Sequence, residues 1–384
     1  MALSISTVGG IVASLLIGRL LKYFNPKVLI IYSAIVICAW QVTLGLSNSI
    51  IIIYIVSFLN GTGVVFGGIA MGQILINMWF IKGRGMMMSA CMICICATLI
   101  IAFPIVGGLI ATVGYSNVLM GIGIVACAGM LVAAFISSGA PEKYGLAPLG
   151  AEEAAGVGDN AAAMVSIPSL SWAKTIRSPI FWVLFAAVVL VNLVATGFTA
   201  HQAVIFGTFG LDATSAAFAL SLVSLISLPM QFVFGFLSDR FSPKLGFMIY
   251  AAIAAIVLMI SYPLVGWFAA APIALGMALA GVLAGVYGPN TAPRLFGVAA
   301  IGDMIGFLSV GSSVGGVIGP ILYGMFYDNF GDYRMILIVM GIITVFCLVL
   351  NGWVNSKANV AKIQQQIAAE AEEAKGAAEA EALA

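Results

Sequence analysis

Apolar segments long enough to cross a lipid bilayer recur along almost the whole chain, separated by short polar breaks. A membrane-spanning helix needs about 20 predominantly apolar residues. Only 8% of the 384 residues are charged, whereas soluble domains carry about 25%. So few charges cannot cover a globular surface, and the sequence therefore predicts an all-α membrane protein solvated by lipid. The predicted spans are 3–21, 28–47, 51–78, 86–111, 117–138, 180–206, 213–237, 245–265, 270–291, 299–325 and 334–355.

The only long interruption between the spans covers 139–178. It contains PEKYGLAPLG at 141–150, then acidic residues, then SWAKTIRSP. This composition predicts a solvated linker that ends in a short surface helix.

The segment 356–384 is rich in Ala, Glu, Lys and Gln. Val360, Ile363 and Ile367 fall on one face of a helix drawn through it. We expect a solvated, partly helical tail, with a coiled-coil contact as the alternative.

The basic residues indicate the orientation in the membrane. All but one of the 15 Lys and Arg residues fall on one side of the predicted spans, and Arg334 is the exception. Basic loops face the cytoplasm in most membrane proteins. We therefore expect a multi-pass protein of the plasma membrane with a cytoplasmic linker, a cytoplasmic C-terminus and an external N-terminus.

An internal repeat divides the chain. GRLLKYFNPK at 18–27 and GFLSDRFSPK at 235–244 share Gly, Leu, Phe, Pro and Lys at an offset of 217 (235 minus 18). PIVGG at 104–108 and PILYG at 320–324 match at 216 (320 minus 104). Repeats with matching basic loops have the same orientation, which is typical of one large transporter architecture. The predicted domains are an N-terminal bundle at 1–138, a linker at 139–178, a C-terminal bundle at 179–355 and a tail at 356–384.

The same offset would place the partner of span 180–206 before Met1. We therefore expect a twelve-helix architecture of which this sequence carries eleven helices, without the first.

These motifs resemble the major facilitator superfamily, whose two bundles each carry a loop motif of this kind. The second copy is the better match, whereas Lys22 stands at the acidic position of the first copy, so the motif is degraded there. The resemblance implies two parallel-repeat helix bundles and a conformational latch at these loops. The latch residues would be Gly18, Arg19, Lys27, Gly235, Asp239, Arg240 and Lys244.

Within that superfamily, several segments are similar to the oxalate/formate antiporter and monocarboxylate transporter branch. They are GQILINMWFIKGRG (72–85), PEKYGLAPLG (141–150), SPIFW (178–182), TGFTAHQ (196–202) and GPILYGMFYDNFGDY (319–333). The branch implies a secondary active transporter that moves a small organic anion by alternating access, coupled to a proton or a counter-anion. Dicarboxylate carriers of the branch are expected to carry basic residues in spans 213–237 and 299–325. Neither span has one, which favours a monocarboxylate-like substrate.

The resemblance also implies that spans 51–78, 180–206 and 270–291 line the transport cavity. Polar side chains at lipid depth turn inward to find partners, so each is either a substrate contact or a bond between helices. The substrate-binding candidates are Tyr54, Asn60, Gln73, Asn77, Asn192, Thr196, His201, Gln202, Tyr287 and Asn290.

Two ionisable residues, His201 and Asp303, each have two possible roles. His201 is the only histidine, and it lies roughly 30 Å along its helix from the cytoplasmic end. Histidine suits proton or anion handling, and the alternative is an interfacial polar residue. Asp303 is either a coupling residue or a carboxylate that faces the dipole of its own helix N-terminus.

Other functional classes fit the sequence less well. No phosphate-binding loop, nucleophile or metal-ligand cluster is visible, so we expect neither an enzyme nor a cofactor or metal site. Small-molecule substrate and lipid bilayer are the expected partners, without nucleic acid, and we expect a monomer. The alternatives are efflux of a neutral or amphipathic solute and, in a different class, a non-transporting membrane receptor or sensor.

Overall fold

The computed structural model describes residues 2–47, 49–136, 141, 145–149 and 169–382, and almost all of them are helical. The first six helices are α1 (Ala2–Tyr23), α2 (Pro26–Leu46), α3 (Ile50–Gly67), α4 (Ile69–Trp79), α5 (Arg84–Val113) and α6 (Tyr115–Ile136). The others are α7 (Trp172–Arg177), α8 (Pro179–Thr208), α9 (Ala213–Arg240), α10 (Pro243–Ile260), α11 (Trp267–Phe296), α12 (Ile301–Phe330), α13 (Arg334–Val354) and α14 (Lys357–Ala382).

Each predicted span is helical over most of its length, although the span predicted at 245–265 continues past the end of α10 at Ile260. Ten helical stretches of the described chain are long and apolar enough to cross a membrane. The remaining predicted span is α5, a helix of 30 residues, whose described apolar part runs from Arg84 to Thr98. The predicted all-α fold is therefore confirmed.

The span predicted at 51–78 is not one continuous helix, because Gly68 separates α3 from α4. A Cβ added at Gly68 would collide with the carbonyl oxygen of Val64, so the local backbone geometry suits only glycine. The prediction missed this break because the glycine pair lies inside an uninterrupted apolar run.

The repeat is visible in how two helices begin. Asn25 caps α2 by accepting a hydrogen bond from the N–H of Lys27 at 3.3 Å, and Pro26 takes the first helical position. Ser242 caps α10 through the N–H of Leu245 at 3.2 Å, and Pro243 follows. Asn25 and Ser242 differ by the repeat offset of 217 (242 minus 25). Both loops therefore end in a capping side chain and a proline that is pre-organised for helix entry.

Contacts divide the chain into two compact units. Unit 1 comprises Met1–Lys82, Cys94–Ala154 and Ile301–Ser313, so it includes the first turns of α12. Within it, α3 packs on α1 and α2, and α2 packs on α6. The predicted domain boundaries stay a prediction.

Unit 2 comprises Gly83–Ile93, Ala155–Ala300 and Val314–Ala384, so it includes the first turns of α5. Within it, α11 packs on α8, α9 and α10, and α13 packs on α8 and α10. Its core combines fully buried aromatic and aliphatic side chains such as Phe206, Leu258 and Ile336.

The predicted linker lies partly outside the described residues, and its acidic residues Glu152, Glu153 and Asp159 are among those outside. The predicted short surface helix is α7. The N–H of Leu170, just before α7, donates to the carbonyl oxygen of Phe296 at the end of α11 (2.9 Å).

The tail is packed on unit 2 through one helical face, which differs from the expected solvated segment. Ile363 of α14 is 1% exposed, and the Glu370 carboxylate accepts from the N–H of Ser171 at 3.2 Å. Lys174 donates to Glu373 at 2.7 Å, and this hydrogen bond raises the pKa of Lys174. The apolar stripe at i, i+3 and i+7 spacing explains the difference, since it gives α14 a face to bury.

Candidate functional site

Asp239, at the end of α9, caps the N-terminus of α5. Its carboxylate accepts hydrogen bonds from the backbone N–H groups of Gly85 at 2.9 Å and Met86 at 2.8 Å. The first N–H groups of a helix have no partner inside the helix and carry partial positive charge. The acidic residue of the second loop motif thus satisfies two donors that lie 154 and 153 residues away in sequence.

Arg294, in the last turn of α11, completes this contact. Its Nη2 donates to Asp239 Oδ1 at 3.0 Å, and its Nη1 donates to the carbonyl oxygen of Ser238 at 3.2 Å. Arg84 is 6% exposed and lies close enough to Arg294 for their positive charges to repel. The bond between Arg294 and Asp239 joins two charged groups, and such bonds are stronger than neutral ones. Sequence reasoning used Arg294 only as an orientation marker and missed it as a partner of Asp239.

The first loop motif makes the corresponding contact with exchanged charges. Lys22, which stands at the acidic position, lies 3.7 Å from the carboxylate of Asp303 in the first turn of α12. Lys22 and Asp239 differ by 217 (239 minus 22), and so do Met86 and Asp303 (303 minus 86). The base on the loop side is therefore matched by an acid in the first turn of the partner helix. Lys22 replaces the acidic residue of the motif, and Asp303 supplies an acid on the opposite side of the contact. The sequence comparison missed this pairing.

Glycine brings the helices together at both contacts. A Cβ added at Gly235 would lie 2.7 Å from Ser89 Oγ and 2.9 Å from the carbonyl oxygen of Gly85. A Cβ added at Gly18 would collide with the backbone and carboxylate of Asp303. The motif glycines are thus required by close approach of two backbones, in unit 2 and in unit 1 respectively.

The other predicted latch residues have different surroundings. Lys244 donates to the carbonyl oxygen of Asn355 at 3.2 Å, which ties the start of α10 to the end of α13. Arg19 and Arg240 are exposed, and Lys27 is half-buried in the first turn of α2. The structure therefore brings Asp239 and Gly235 into one contact and leaves the two motif arginines at the surface.

In unit 1, the polar candidates lie on α3 and α4. Asn60 is 5% exposed and donates to Ser6 Oγ of α1 at 3.2 Å. Asn77 is 1% exposed and donates to the carbonyl oxygen of Gln73, which is itself buried. Tyr54 is half-buried on α3.

In unit 2, Asn192 and Thr196 of α8 face Gly315 and Gly319 of α12. Asn192 is 8% exposed and bonds its own helix at Val188. Thr196 Oγ1 donates to Asn192 at 2.6 Å and lies 3.3 Å from the carbonyl oxygen of Gly315. These bonds support the packing of α12 on α8.

Tyr287 and Asn290 on α11 are fully enclosed. The Tyr287 hydroxyl donates to Asn351 Oδ1 of α13 at 2.9 Å. Asn290 is 0% exposed, and neither its Oδ1 nor its Nδ2 has a hydrogen-bond partner among the residues that the structure describes. A buried polar group without a partner carries a desolvation penalty, so Asn290 is the more unusual of the two.

His201 is held by α12 and by the residue before α13, while Gln202 beside it is half-buried. The His201 Nε2 lies 3.0 Å from the carbonyl oxygen of Pro320, and Nδ1 lies 2.8 Å from the Tyr333 hydroxyl. A carbonyl only accepts, so Nε2 carries a proton, and when the ring is neutral Nδ1 accepts from the Tyr333 hydroxyl. Burial raises the pKa of the Tyr333 hydroxyl, which keeps it a donor. The ring also stacks on Tyr323 at 6.0 Å between centroids. Sequence reasoning singled out His201 but missed its partners.

One known protein family matches the chain. The sequence model of the Major Facilitator Superfamily matches residues 1–293 and 205–373. Among curated protein sequences, none matches the chain significantly.

Solved structures show the same fold. The fucose:proton symporter FucP of E. coli is 14% identical, with a TM-score of 0.72 over 93% of this chain and 90% of that one. The proton:xylose symporter XylE, bound to 6-bromo-6-deoxy-D-glucose, is 14% identical, with a TM-score of 0.70 over 92% of this chain and 84% of that one. With a family match over most of its length, and with a helical membrane fold shared with these symporters, the chain belongs to the major facilitator superfamily and is a secondary transporter rather than an enzyme.

Proposed function

We propose that the protein moves a small, singly charged organic anion of the monocarboxylate type by alternating access. Arg84, Arg294 and Asp239 carry the proposal, because two guanidinium groups and one carboxylate meet where α5, α9 and α11 converge. The Arg294 guanidinium and two backbone N–H groups bind the Asp239 carboxylate there, and donors of this kind suit the carboxylate of a solute as well. The similarity of several segments to the oxalate/formate and monocarboxylate branch supports the same class.

Coupling is proposed to a proton or a counter-anion. His201 is the candidate for the proton, since histidine changes charge in the physiological pH range and its Nδ1 faces a hydroxyl that can accept or donate. The described spans 213–237 and 299–325 carry no Lys or Arg. A doubly charged substrate would therefore lack a second cation at those positions.

The loop contacts are proposed to act as conformational latches. The contact of Asp239 with the start of α5 and the ion pair of Lys22 with Asp303 each join the end of one helix to the start of another. Breaking such contacts at one end of the bundles is what alternating access requires. We further propose a monomer in the plasma membrane, with the end that carries Asp239, the linker and the tail facing the cytoplasm.

A neutral solute is the second candidate. The two similar structures are those of a fucose and a xylose symporter, and most polar candidates here are uncharged amides and hydroxyls. Those groups suit a sugar-like solute as well as a carboxylate.

Competition distinguishes the two candidates. Purified protein in proteoliposomes would take up labelled lactate in the presence of excess formate, unlabelled lactate, oxalate, fucose or xylose. We expect formate and unlabelled lactate to compete, and the others to have little effect. Strong saturable oxalate uptake would contradict the monocarboxylate assignment, and competition by a sugar alone would favour the neutral-solute candidate.

A further inference from the structure

Several buried polar atoms in unit 2 lack a hydrogen-bond partner in the described structure. All belong to side chains that are at least nine-tenths buried, so water does not reach them. Leaving such atoms unpaired is costly, and native proteins rarely do so without a functional reason. The atoms are Ser89 Oγ, Thr175 Oγ1, Gln231 Oε1, Ser238 Oγ, Oδ1 and Nδ2 of Asn290, and Thr291 Oγ1.

Three of these residues follow the contact between α5 and α9. Ser89 lies one turn along α5 from Gly85 and packs against Gly235, where a Cβ would come within 2.7 Å of its hydroxyl oxygen. Gln231 lies one turn before Gly235 on α9, and the Cβ of Ser238 lies 3.0 Å from the position of a Cβ on Gly85. Ser89 and Ser238 are therefore enclosed where α5 and α9 approach closely, and Gln231 lies one helical turn from that contact.

The same contact extends to α11. Asn290 lies one turn before Arg294, whose guanidinium reaches Ser238 and Asp239 of α9. Met92 of α5 packs near Gly285, where a Cβ would lie 3.4 Å from its sulfur. The three helices thus enclose a seam of amides and hydroxyls, with Arg84, Arg294 and Asp239 at its end.

The Asp239 carboxylate shows what chemistry the end of this seam accepts. Two backbone N–H groups and one guanidinium nitrogen bind it, at 2.9, 2.8 and 3.0 Å. When the first turns of α5 move away from α9, Asp239 leaves the helix N-terminus, and the donors of the seam become available to another carboxylate. Pairing of the enclosed atoms with solvent or solute then offsets the loss of the helix contacts.

We propose that Ser89, Gln231, Asn290 and Arg294 line a vestibule that opens when α5 separates from α9 and α11, and that this vestibule binds a small carboxylate. The inference rests on the proposed function, since it places one binding step of the anion on its route. It adds a location and a set of donors that include Ser89 and Gln231, which the sequence did not single out.

Cysteine labelling tests the opening. In full-length protein in lipid nanodiscs, with the six native cysteines replaced, Ser89→Cys would be exposed to a water-soluble maleimide. Asp239→Asn removes the charge that holds α5, and it should raise the labelling rate about ten-fold, since a charge-assisted bond is lost. Asn290→Cys is a second reporter, which is used if Ser89→Cys does not fold. Thr344→Cys is the matched control, because Thr344 is also buried but lies on α13 and bonds its own helix.

Ligand protection tests the chemistry. Acetate and lactate should slow the labelling of Ser89→Cys about ten-fold at ten times their dissociation constant, whereas the isosteric neutral acetamide and lactamide should not. Arg294→Gln should abolish protection by the anions, and Arg294→Lys should retain part of it.

Each other outcome overturns the inference. Labelling that acetate and acetamide slow equally, or that neither slows, shows that no carboxylate binds at this seam. Reporters that stay unlabelled in the Asp239→Asn background show that the seam does not open. Uptake of lactate into proteoliposomes, measured in parallel, tests the proposed function separately. If lactate is transported but the reporters show no labelling or no protection, only the vestibule is refuted and the proposed function stands.

Discussion

Lys22 and Asp303 form an ion pair of 3.7 Å at the repeat position where the second loop has Asp239. The two contacts carry opposite polarity, since one loop presents a base to an acidic helix start and the other presents an acid to bare N–H groups. Duplicated bundles can therefore keep a contact in both copies while the charges are exchanged between its two sides.

Reversing one charge of the first pair should weaken it. Lys22→Asp places two carboxylates together and should lower the transport rate by no more than about five-fold, because exposed pairs contribute about 0–1 kcal/mol and Lys22 is 66% exposed. The double variant Lys22→Asp with Asp303→Lys should recover the rate. Arg19→Asp changes the same net charge at an exposed position, so an equal loss there would argue against a specific pair.

Removing the acid of the second contact should have a larger effect. Asp239→Ala or Asp239→Asn should cut the transport rate about ten-fold while leaving membrane insertion intact, because bonds to a charged group contribute about 1.5–3 kcal/mol. Uptake into proteoliposomes at matched protein content measures this. Arg240→Gln, at the adjacent exposed residue, is the control. An unchanged transport rate in the Asp239 variants would show that Asp239 only keeps the loop solvated and does not act as a latch.

Adding a methyl group at Gly18 should force the backbones of α1 and α12 apart. Gly18→Ala should lower the thermal unfolding temperature, because the new Cβ meets the backbone nitrogen of Asp303 as well as its carboxylate, and the backbone cannot move aside as a side chain can. Gly72→Ala is the control within unit 1, since nothing lies within 4 Å of a Cβ there and alanine favours a helix by about 0.5–1 kcal/mol. Equal stability of the two variants would contradict the close approach.

The histidine cluster should contribute to the stability of unit 2. Tyr333→Phe removes the hydroxyl that faces His201 Nδ1 and should cost about 1 kcal/mol of unfolding free energy, while the ring contact with Tyr327 is kept. Thermal unfolding in detergent measures the difference. Tyr115→Phe, at a residue that is 61% exposed, should have no measurable effect.

Undocking the tail should expose it to protease. Ile363→Asp buries a charge against unit 2, so α14 should detach and be cleaved faster, whereas Gln365→Asp on the exposed face should behave like the parent chain. Limited proteolysis followed by mass measurement reads this out. Equal cleavage of the two variants would show that the Ile363 face does not hold the tail.

Hydropathy and the repeat predicted the fold well, since span length and basic loops follow from the bilayer. The break at Gly68 escaped prediction because a glycine pair inside an apolar run looks like ordinary helix packing. The apolar stripe of Val360, Ile363 and Ile367 was recognised, but the surface that covers it comes from distant segments. Its burial therefore could not be read from the tail alone.

The candidate site was predicted only in part. The loop motif pointed to Asp239, but its partners Gly85, Met86 and Arg294 lie far away in sequence. The enclosed hydroxyl of Ser89 and amide of Gln231 carry no sequence signal, because single polar residues in spans are common. Only the three-dimensional contact between α5 and α9 shows that they share one seam.

Counterflow shows whether the protein carries lactate across the membrane through an alternately exposed site. Proteoliposomes preloaded with unlabelled lactate would be diluted into labelled lactate without ATP, beside empty liposomes. The account predicts a transient accumulation of label above equilibrium, which a carrier with a saturable, alternately exposed anion site produces. Label that equilibrates monotonically at the rate of empty liposomes would contradict it.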